Sequence, residues 1–202
     1  MKDFVLEMKE YHRSETDFFS SLPGGVSAVK FPLILRPMPV QRLESRRVDA
    51  MLEKFDFFDL MLHNKGRGLF HRYELRKKDG VNVVNDYSTG LIWQQSGSTE
   101  SITYASAEKY IRDLNHGRFA GCNDWRLPTL EEAMSLMEPQ ERGELYLDVV
   151  FDRKQDIIWT ADKASANAAW VVGFIYGYCY NLHVDDGRFV RAVRGGGGQP
   201  SI

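Results

Sequence analysis

The sequence predicts an α+β domain in which short strands are combined with two helices. Residues 69–85 alternate apolar and polar side chains on both sides of a turn at residues 77–80, which is the pattern of a β-hairpin. Residues 104–115 carry apolar side chains at helical spacing. Thr129 caps a second helix, because Glu132 stands three residues later in the capping-box arrangement.

Further strands are expected around these helices. A turn at residues 88–90 leads into a strand whose Leu91 and Trp93 point to one face. Later in the chain we expect a buried strand at residues 157–161, a loop at residues 162–167 and a second buried strand at residues 170–174. A last strand at residues 189–194 should alternate between inward and outward side chains. The tryptophans lie in or beside these elements and should be buried: Trp93, Trp125, Trp159 and Trp170.

The N-terminal third is predicted to be an extension of the main domain, because it has too little apolar surface for a core of its own. We expect an amphipathic helix at residues 1–20 and a proline-rich extended arm at residues 28–39. A second helix is expected at residues 41–62, and a turn at residues 64–68 ends it. We expect residues 1–68 to pack on a main domain at residues 69–196. Residues 197–202 continue a glycine run and predict a flexible tail.

Composition and charge exclude some classes of function. The 202 residues are 43% hydrophobic and 12% aromatic, which is typical of a globular protein with one good core. The 26 basic and 28 acidic side chains give a net charge of -2, whereas nucleic-acid binding needs a basic excess on one face. Arg42, Arg46 and Arg47 come nearest to a basic cluster, and they predict a solvated helix face because Glu44 and Asp49 lie among them.

No targeting segment and no apolar run long enough to span a bilayer is visible in the sequence. The chain is therefore expected to be cytoplasmic, and surface display by a route without a leader is left open. Cys122 and Cys179 are expected to be free thiols in a reducing compartment.

The residues between the second buried strand and the last strand combine several chemistries in a short span. Tyrosine offers amphipathic contact area with few side-chain torsions to order, and Asn, Asp and His adapt their hydrogen bonds to a partner. We therefore predict a ligand-binding surface formed by Ile175, Tyr176, Tyr178, Tyr180, Asn181, His183, Asp185, Asp186 and Arg188. The alternative is a strand that half buries its tyrosine rings in the domain's own core and turns through an acidic loop. On the binding interpretation, a Tyr180→Ala variant should keep nearly the same melting temperature.

Enzymatic signatures are absent from the sequence, which has no nucleophile elbow, phosphate loop or zinc-ligand spacing. Cys179 has no second cysteine close in sequence, so a thiol enzyme is not expected. His183 lies near Asp185 in a polar loop, where a histidine is expected to make surface contacts and not to act as a general base. We expect no catalytic residue, no cofactor and no metal. A weak cation held by Asp185, Asp186 and Asn181 remains the alternative for this turn.

Several ordered motifs resemble those of the Lcl C-terminal-like domain family. They are TGLIWQ, DWRLPT followed by two glutamates, IWTA, AWVV and VRAVRGG, at residues 89–94, 124–129, 158–161, 169–172 and 190–196. The resemblance covers residues 69–196 and implies a C-type-lectin-like fold, in which two helices flank small, twisted antiparallel sheets with long irregular loops.

The wider C-type-lectin-like superfamily includes calcium-dependent sugar binders, formylglycine-generating enzymes and the variable proteins of diversity-generating retroelements. The calcium-lectin triplets are not matched here, because Glu138-Pro139-Gln140 and Asn123-Asp124-Trp125 have the wrong order and wording. Retroelement diversification cannot produce Lys, Glu, Gln, Trp or Met at its variable positions, and residues 174–189 contain none of them. We therefore favour a retroelement variable protein that binds an unidentified protein or glycan. A fixed carbohydrate- or protein-binding site is the alternative, and a formylglycine-generating-like enzyme ranks third.

Overall fold

The computed structural model describes residues 32–196, so the helix expected at residues 1–20 and the tail at residues 197–202 lie outside the described part. The described part contains three α-helices, a short 3-10 helix and seven strands. The α-helices are α1 (Ser45–Phe55), α2 (Tyr104–His116) and α3 (Leu130–Ser135). The strands are β1 (Tyr73–Lys78), β2 (Val81–Asp86), β3 (Leu91–Gln94), β4 (Ile157–Ser165), β5 (Ala168–Gly173), β6 (Tyr178–His183) and β7 (Val193–Gly195). No helix of this part is long and apolar enough to cross a membrane.

The strands form two small antiparallel sheets, so the fold is α+β. One sheet has the order β1-β2-β3-β7 and the other has the order β4-β5-β6. The predicted hairpin is confirmed: β1 and β2 are joined by Asp79 and Gly80, whose φ angles of 50° and 83° are those of a left-handed two-residue turn. Such a turn matches the right-handed twist of the flanking strands.

The two predicted helices of the main domain are confirmed, and both start at threonine caps. Thr103 accepts a hydrogen bond from the Ser106 amide at the start of α2. At α3, Thr129 and Glu132 form the predicted capping box, in which each side chain accepts from the other residue's backbone N–H. The start of α3 is buried, so the capping box satisfies amides that water cannot reach.

The four tryptophans are buried, as predicted. Trp93 and Trp159 are fully enclosed, and Trp125 and Trp170 are at most 4% exposed. Three of the indoles donate to backbone carbonyl oxygens: Trp125 to Phe119 at 2.9 Å, Trp159 to Ile102 at 2.8 Å and Trp170 to Leu43 at 3.0 Å. The bonds of Trp159 and Trp170 tie strands β4 and β5 to segments far away in the sequence, whereas the Trp125 bond is local.

Several apolar side chains of residues 32–68 are buried in the same core as the strands. That core joins Leu35, Leu43, Val48, Met51, Leu52, Phe57 and Phe58 to Trp93, Trp170 and Val172. The arm at residues 32–40 is held by Asp162, a fully buried carboxylate in β4. Its oxygens accept from the Arg36 guanidinium at 2.8 and 3.0 Å and from the Val40 amide at 2.5 Å. Arg42, Arg46 and Arg47 are solvent-exposed, as predicted, but only Arg46 and Arg47 lie on helix α1.

Helix α1 is shorter than predicted, and the assignment of residues 41–62 to one helix is wrong. The helix ends at Phe55 because Asp56 adopts the left-handed conformation with φ 56°. Asp59 then accepts from the Met61 and Leu62 amides, at 3.0 and 2.9 Å, and this turn leaves Leu62 52% exposed.

Two assignments near the C-terminus are also wrong. Residues 162–165 continue β4, because β-bulges let Lys163 pair with Ala169. The last strand is only Val193–Gly195, and burial does not alternate before it: Val190, Arg191, Ala192 and Val193 are all enclosed. Arg191 points inward because its guanidinium donates to the backbone carbonyl oxygens of Gln95 and Asp152.

Candidate ligand-binding surface

The predicted binding residues start at the hairpin between β5 and β6. Strand β5 has core clusters on both of its faces, so it is a rigid base for its neighbour. The hairpin closes through a backbone hydrogen bond of 2.8 Å from the Gly177 amide to the Gly173 carbonyl oxygen. Gly177 has a φ of 74°, a conformation that few other residues adopt without strain. The turn therefore holds Ile175 and Tyr176 outward, at 42% and 47% exposure.

Three tyrosine rings come together here, and we refer to Tyr176, Tyr178 and Tyr180 as the tyrosine surface. The ring centroids of Tyr176 and Tyr178 are 5.8 Å apart, those of Tyr178 and Tyr180 are 5.5 Å apart, and those of Tyr176 and Tyr180 are 6.3 Å apart. A Cβ at Gly173 would lie 3.2 Å from the Tyr176 ring and 3.3 Å from the Tyr180 ring. The absence of that side chain lets both rings settle on the β5 backbone.

Arg188 is brought to the same surface. Its backbone forms two hydrogen bonds with Ile102, at 2.9 and 3.0 Å, so its position is fixed. Burial raises the pKa of Tyr180, and the neighbouring Arg188 guanidinium acts in the opposite direction. With its pKa above the ordinary value, the phenol is neutral at physiological pH and can both donate and accept hydrogen bonds.

The structure does not bring the other predicted residues onto this face. Asn181 and His183 alternate with the tyrosines along β6, so they point to the opposite face of the sheet. Asp185 and Asp186 are exposed in the turn after β6, where the Asp185 carboxylate lies 3.4 Å from the His183 ring. The predicted surface is therefore divided between two faces of one strand and the turn that follows it.

Two further residues lie against the hairpin, and the sequence analysis missed both. The Tyr146 ring covers Gly177, where a Cβ would lie 2.9 Å from it, and the Tyr146 amide donates to the Phe174 carbonyl oxygen at 2.8 Å. Leu60 is exposed and donates its amide to the Gly177 carbonyl oxygen, also at 2.8 Å. Tyr146 has no local signal that links it to the hairpin, and Leu60 was assigned to a helix.

Both cysteines are free thiols, as predicted. Burial, followed by the nearby Asp59 carboxylate, raises the pKa of the Cys179 thiol well above its ordinary value. This environment disfavours the thiolate that nucleophilic chemistry needs. Within residues 32–196, no group of three or more His, Cys, Asp or Glu side chains is arranged to hold a metal ion.

The class that these features define is an α+β domain of two small antiparallel sheets with half-exposed tyrosines on one edge hairpin. Residues 82–194 match the model of the Lcl C-terminal domain, which covers more than half of the chain. The chain therefore belongs to that family, and the resemblance seen in the sequence motifs is confirmed. No curated protein was found to match the chain.

Proposed function

We propose that this chain is a non-enzymatic ligand-binding protein and that the tyrosine surface contacts the ligand. The observation that carries the proposal is the mutual packing of three tyrosine rings on a rigid hairpin, with Tyr176 nearly half exposed. Rings that are already ordered lose little entropy on binding, so more of their contact energy remains as affinity. The raised pKa of the buried Cys179 thiol argues against thiol catalysis at this residue.

We also propose that the scaffold is a C-type-lectin-like fold. What supports this is the combination of two small antiparallel sheets with helices α2 and α3 and a long irregular segment at residues 136–156. Strand β7 comes late in the sequence but pairs with β3, so it forms one edge of the four-stranded sheet. An isolated β-bridge joins Ile158, in strand β4 of the smaller sheet, to Phe189, in the segment that leads to strand β7 of the larger sheet.

The specific form that we favour is a variable protein of a diversity-generating retroelement. The supporting observation is that the predicted variable positions are exposed or half-buried, whereas Phe174 before them and Gly177 and Cys179 between them are buried. Substitution at the exposed positions Ile175, Tyr176, Asn181, His183, Asp185 and Asp186 would leave the core intact. The test is to sequence the encoding locus: a template copy with mismatches only at adenines, confined to residues 175–188, would support this form. A locus without a reverse transcriptase would contradict it.

A fixed binding site is the second candidate, and one observation favours it. The rings of Tyr176 and Tyr180 both lie over Gly173, with their centroids 6.3 Å apart, so replacing one ring removes a packing neighbour of the other. Positions that depend on one another in this way tolerate independent variation poorly. On this interpretation, the tyrosine surface binds one carbohydrate or one protein in every copy of the gene.

The binding proposal is tested with a glycan array, with and without calcium, and with a phage-displayed peptide library. The informative variant is Tyr176→Ala, because Tyr176 is exposed and its loss should spare the core. Tyr87→Ala is the matched control, since Tyr87 is similarly exposed but lies in the turn directly after β2, a strand of the other sheet. We expect to find ligands that bind the parent protein and Tyr87→Ala with similar affinity. The affinity of Tyr176→Ala for the same ligands should be lower by at least about tenfold. Ligands retained equally by both variants would show that binding occurs elsewhere.

A further inference from the structure

A cleft of about 300 Å³ opens on the four-stranded sheet, which does not carry the tyrosine surface. Its floor crosses three strands, because Asn85 of β2, Ile92 of β3 and Arg194 of β7 are cross-strand neighbours in one row. The loop that follows α2 forms one wall with Cys122 and the buried Trp125. This volume is within the range of sites that hold small organic ligands.

The charged side chains that line the cleft are cationic, and no Asp or Glu lines it. Arg76 and Lys78 enter from β1, and Arg194 enters from β7. Two carboxylates outside the lining orient the arginines: Glu74 lies 2.9 Å from the Arg76 Nε atom, and Asp124 accepts from the Arg194 Nε and Nη2 atoms at 2.7 and 3.1 Å. This leaves the Arg194 Nη1 group without a partner among residues 32–196.

Lys78 forms no ion pair with a carboxylate in the described part of the chain, and the Asp79 carboxylate lies against Gly121, near the end of the Lys78 side chain. Its ammonium contacts the Cys122 thiol, with 3.6 Å between Nζ and Sγ. A cation beside an unused guanidinium N–H in a concave site attracts an oxyanion, which can accept from both. The apolar floor of Val83 and Ile92 suits a ligand with an apolar body.

We propose that this cleft binds a small organic anion whose carboxylate or phosphate is held by Lys78 and Arg194 while its apolar body rests on Ile92. The site is independent of the tyrosine surface, because it lies on a different sheet and shares no residue with it. Loss of one site therefore leaves the other open to its own test.

Cys122 provides the reporter, because it is partly exposed in the cleft whereas Cys179 is buried. The first measurement is the ratio of two alkylation rates at Cys122, with anionic iodoacetate and with neutral iodoacetamide. Any change in thiolate fraction alters both rates equally, so the ratio isolates attraction of the anion. We expect the ratio to fall about three- to fivefold in Lys78→Gln and to stay unchanged in Lys65→Gln, an exposed lysine outside the cleft.

The second measurement is protection of Cys122 from iodoacetamide by candidate ligands at millimolar concentration. Benzoate and phenyl phosphate should slow alkylation in the parent protein and do so less in Lys78→Gln, whereas benzyl alcohol should have no effect. Equal rate ratios in all three proteins, or no protection by either anion, would overturn the proposal. Protection by inorganic phosphate as strong as that by phenyl phosphate would overturn the part that assigns an apolar body to the ligand.

Discussion

The replacement of Asp162 by asparagine should destabilise the domain far more than its small change in shape suggests. Asp162 accepts two hydrogen bonds on each carboxylate oxygen: Val40 and Arg36 donate to Oδ1, and Leu130 and Arg36 donate to Oδ2. An asparagine keeps one oxygen and places an NH2 group where the other oxygen was. Whichever way the amide is turned, two donors then face a third donor in a fully buried site.

The size of the effect follows from these bonds. A hydrogen bond with one ionised partner contributes about 1.5–3 kcal/mol, and an unsatisfied buried donor costs about 1–3 kcal/mol. Since two bonds are lost and the Arg36 guanidinium loses its counter-charge, we expect the free energy of unfolding to fall by about 3–5 kcal/mol. For a domain of this size, that corresponds to a melting temperature lower by roughly 10 °C.

Urea denaturation followed by tryptophan fluorescence measures this loss, and Asp185→Asn is the control because Asp185 is exposed. The control should change the free energy of unfolding by less than about 0.5 kcal/mol. A loss below about 1 kcal/mol in Asp162→Asn would refute the reasoning, since it would mean that these bonds do not hold the arm at residues 32–40 to the domain.

Three further predictions concern the core and the hairpin. Trp125→Ala should cost about 3–5 kcal/mol by urea denaturation, whereas Tyr180→Ala should cost roughly 1–2 kcal/mol because its ring is half-buried; equal losses would place Tyr180 in the core. Gly173→Ala should reposition the tyrosine rings and change the near-UV circular dichroism while costing about 1 kcal/mol, and an unaltered spectrum would show that the rings do not depend on Gly173. Arg191→Met should cost about 2–4 kcal/mol in thermal or urea unfolding, because the Asp152 carbonyl oxygen loses the Arg191 donor and the Gln95 carbonyl oxygen keeps only the Asp152 amide; a loss within 1 kcal/mol would contradict this role.

The half-buried Tyr180 modifies one expectation drawn from the sequence. A Tyr180→Ala variant was expected to keep nearly the same melting temperature, but its ring packs against the cluster that contains Val171 and Trp159. The binding interpretation and the core interpretation of the tyrosines each describe part of the structure. Tyr176 fits the first, and Tyr180 belongs partly to the second.

The elements that the sequence predicted well are those whose signals are local. The Asp79-Gly80 turn and the capping box of Thr129 and Glu132 each lie within a few residues, and the structure has both. Helix α1 was predicted too long because the turn that follows its left-handed Asp56 cap is held by a distant contact. Asp59 turns the chain there, and its other carboxylate oxygen accepts from the Cys179 amide, 120 residues away. No window of the sequence contains that contact.

The inward position of Arg191 also lies beyond local patterns. An arginine between Val190 and Ala192 reads as an outward position of an alternating strand. The guanidinium instead lies over the Phe151 ring at 4.8 Å and bonds the irregular segment that contains Asp152. Burial lowers the pKa of Arg191 to about 9, which still leaves it charged at neutral pH. The charge is offset by carbonyl oxygens that only the folded chain brings together.

The division of the candidate site between two faces was, by contrast, available in the sequence. A period of two puts Tyr178 and Tyr180 on one face and Asn181 and His183 on the other. Strand β6 is an edge strand of its sheet, so the two faces meet along its free side. A ligand that contacts both sets must therefore approach the sheet edge-on, where it also meets the turn at Leu60. A ligand that lies flat on the tyrosine surface reaches Arg188 and does not contact His183. Which of these side chains a ligand needs for binding therefore indicates whether it approaches the face or the edge of the sheet.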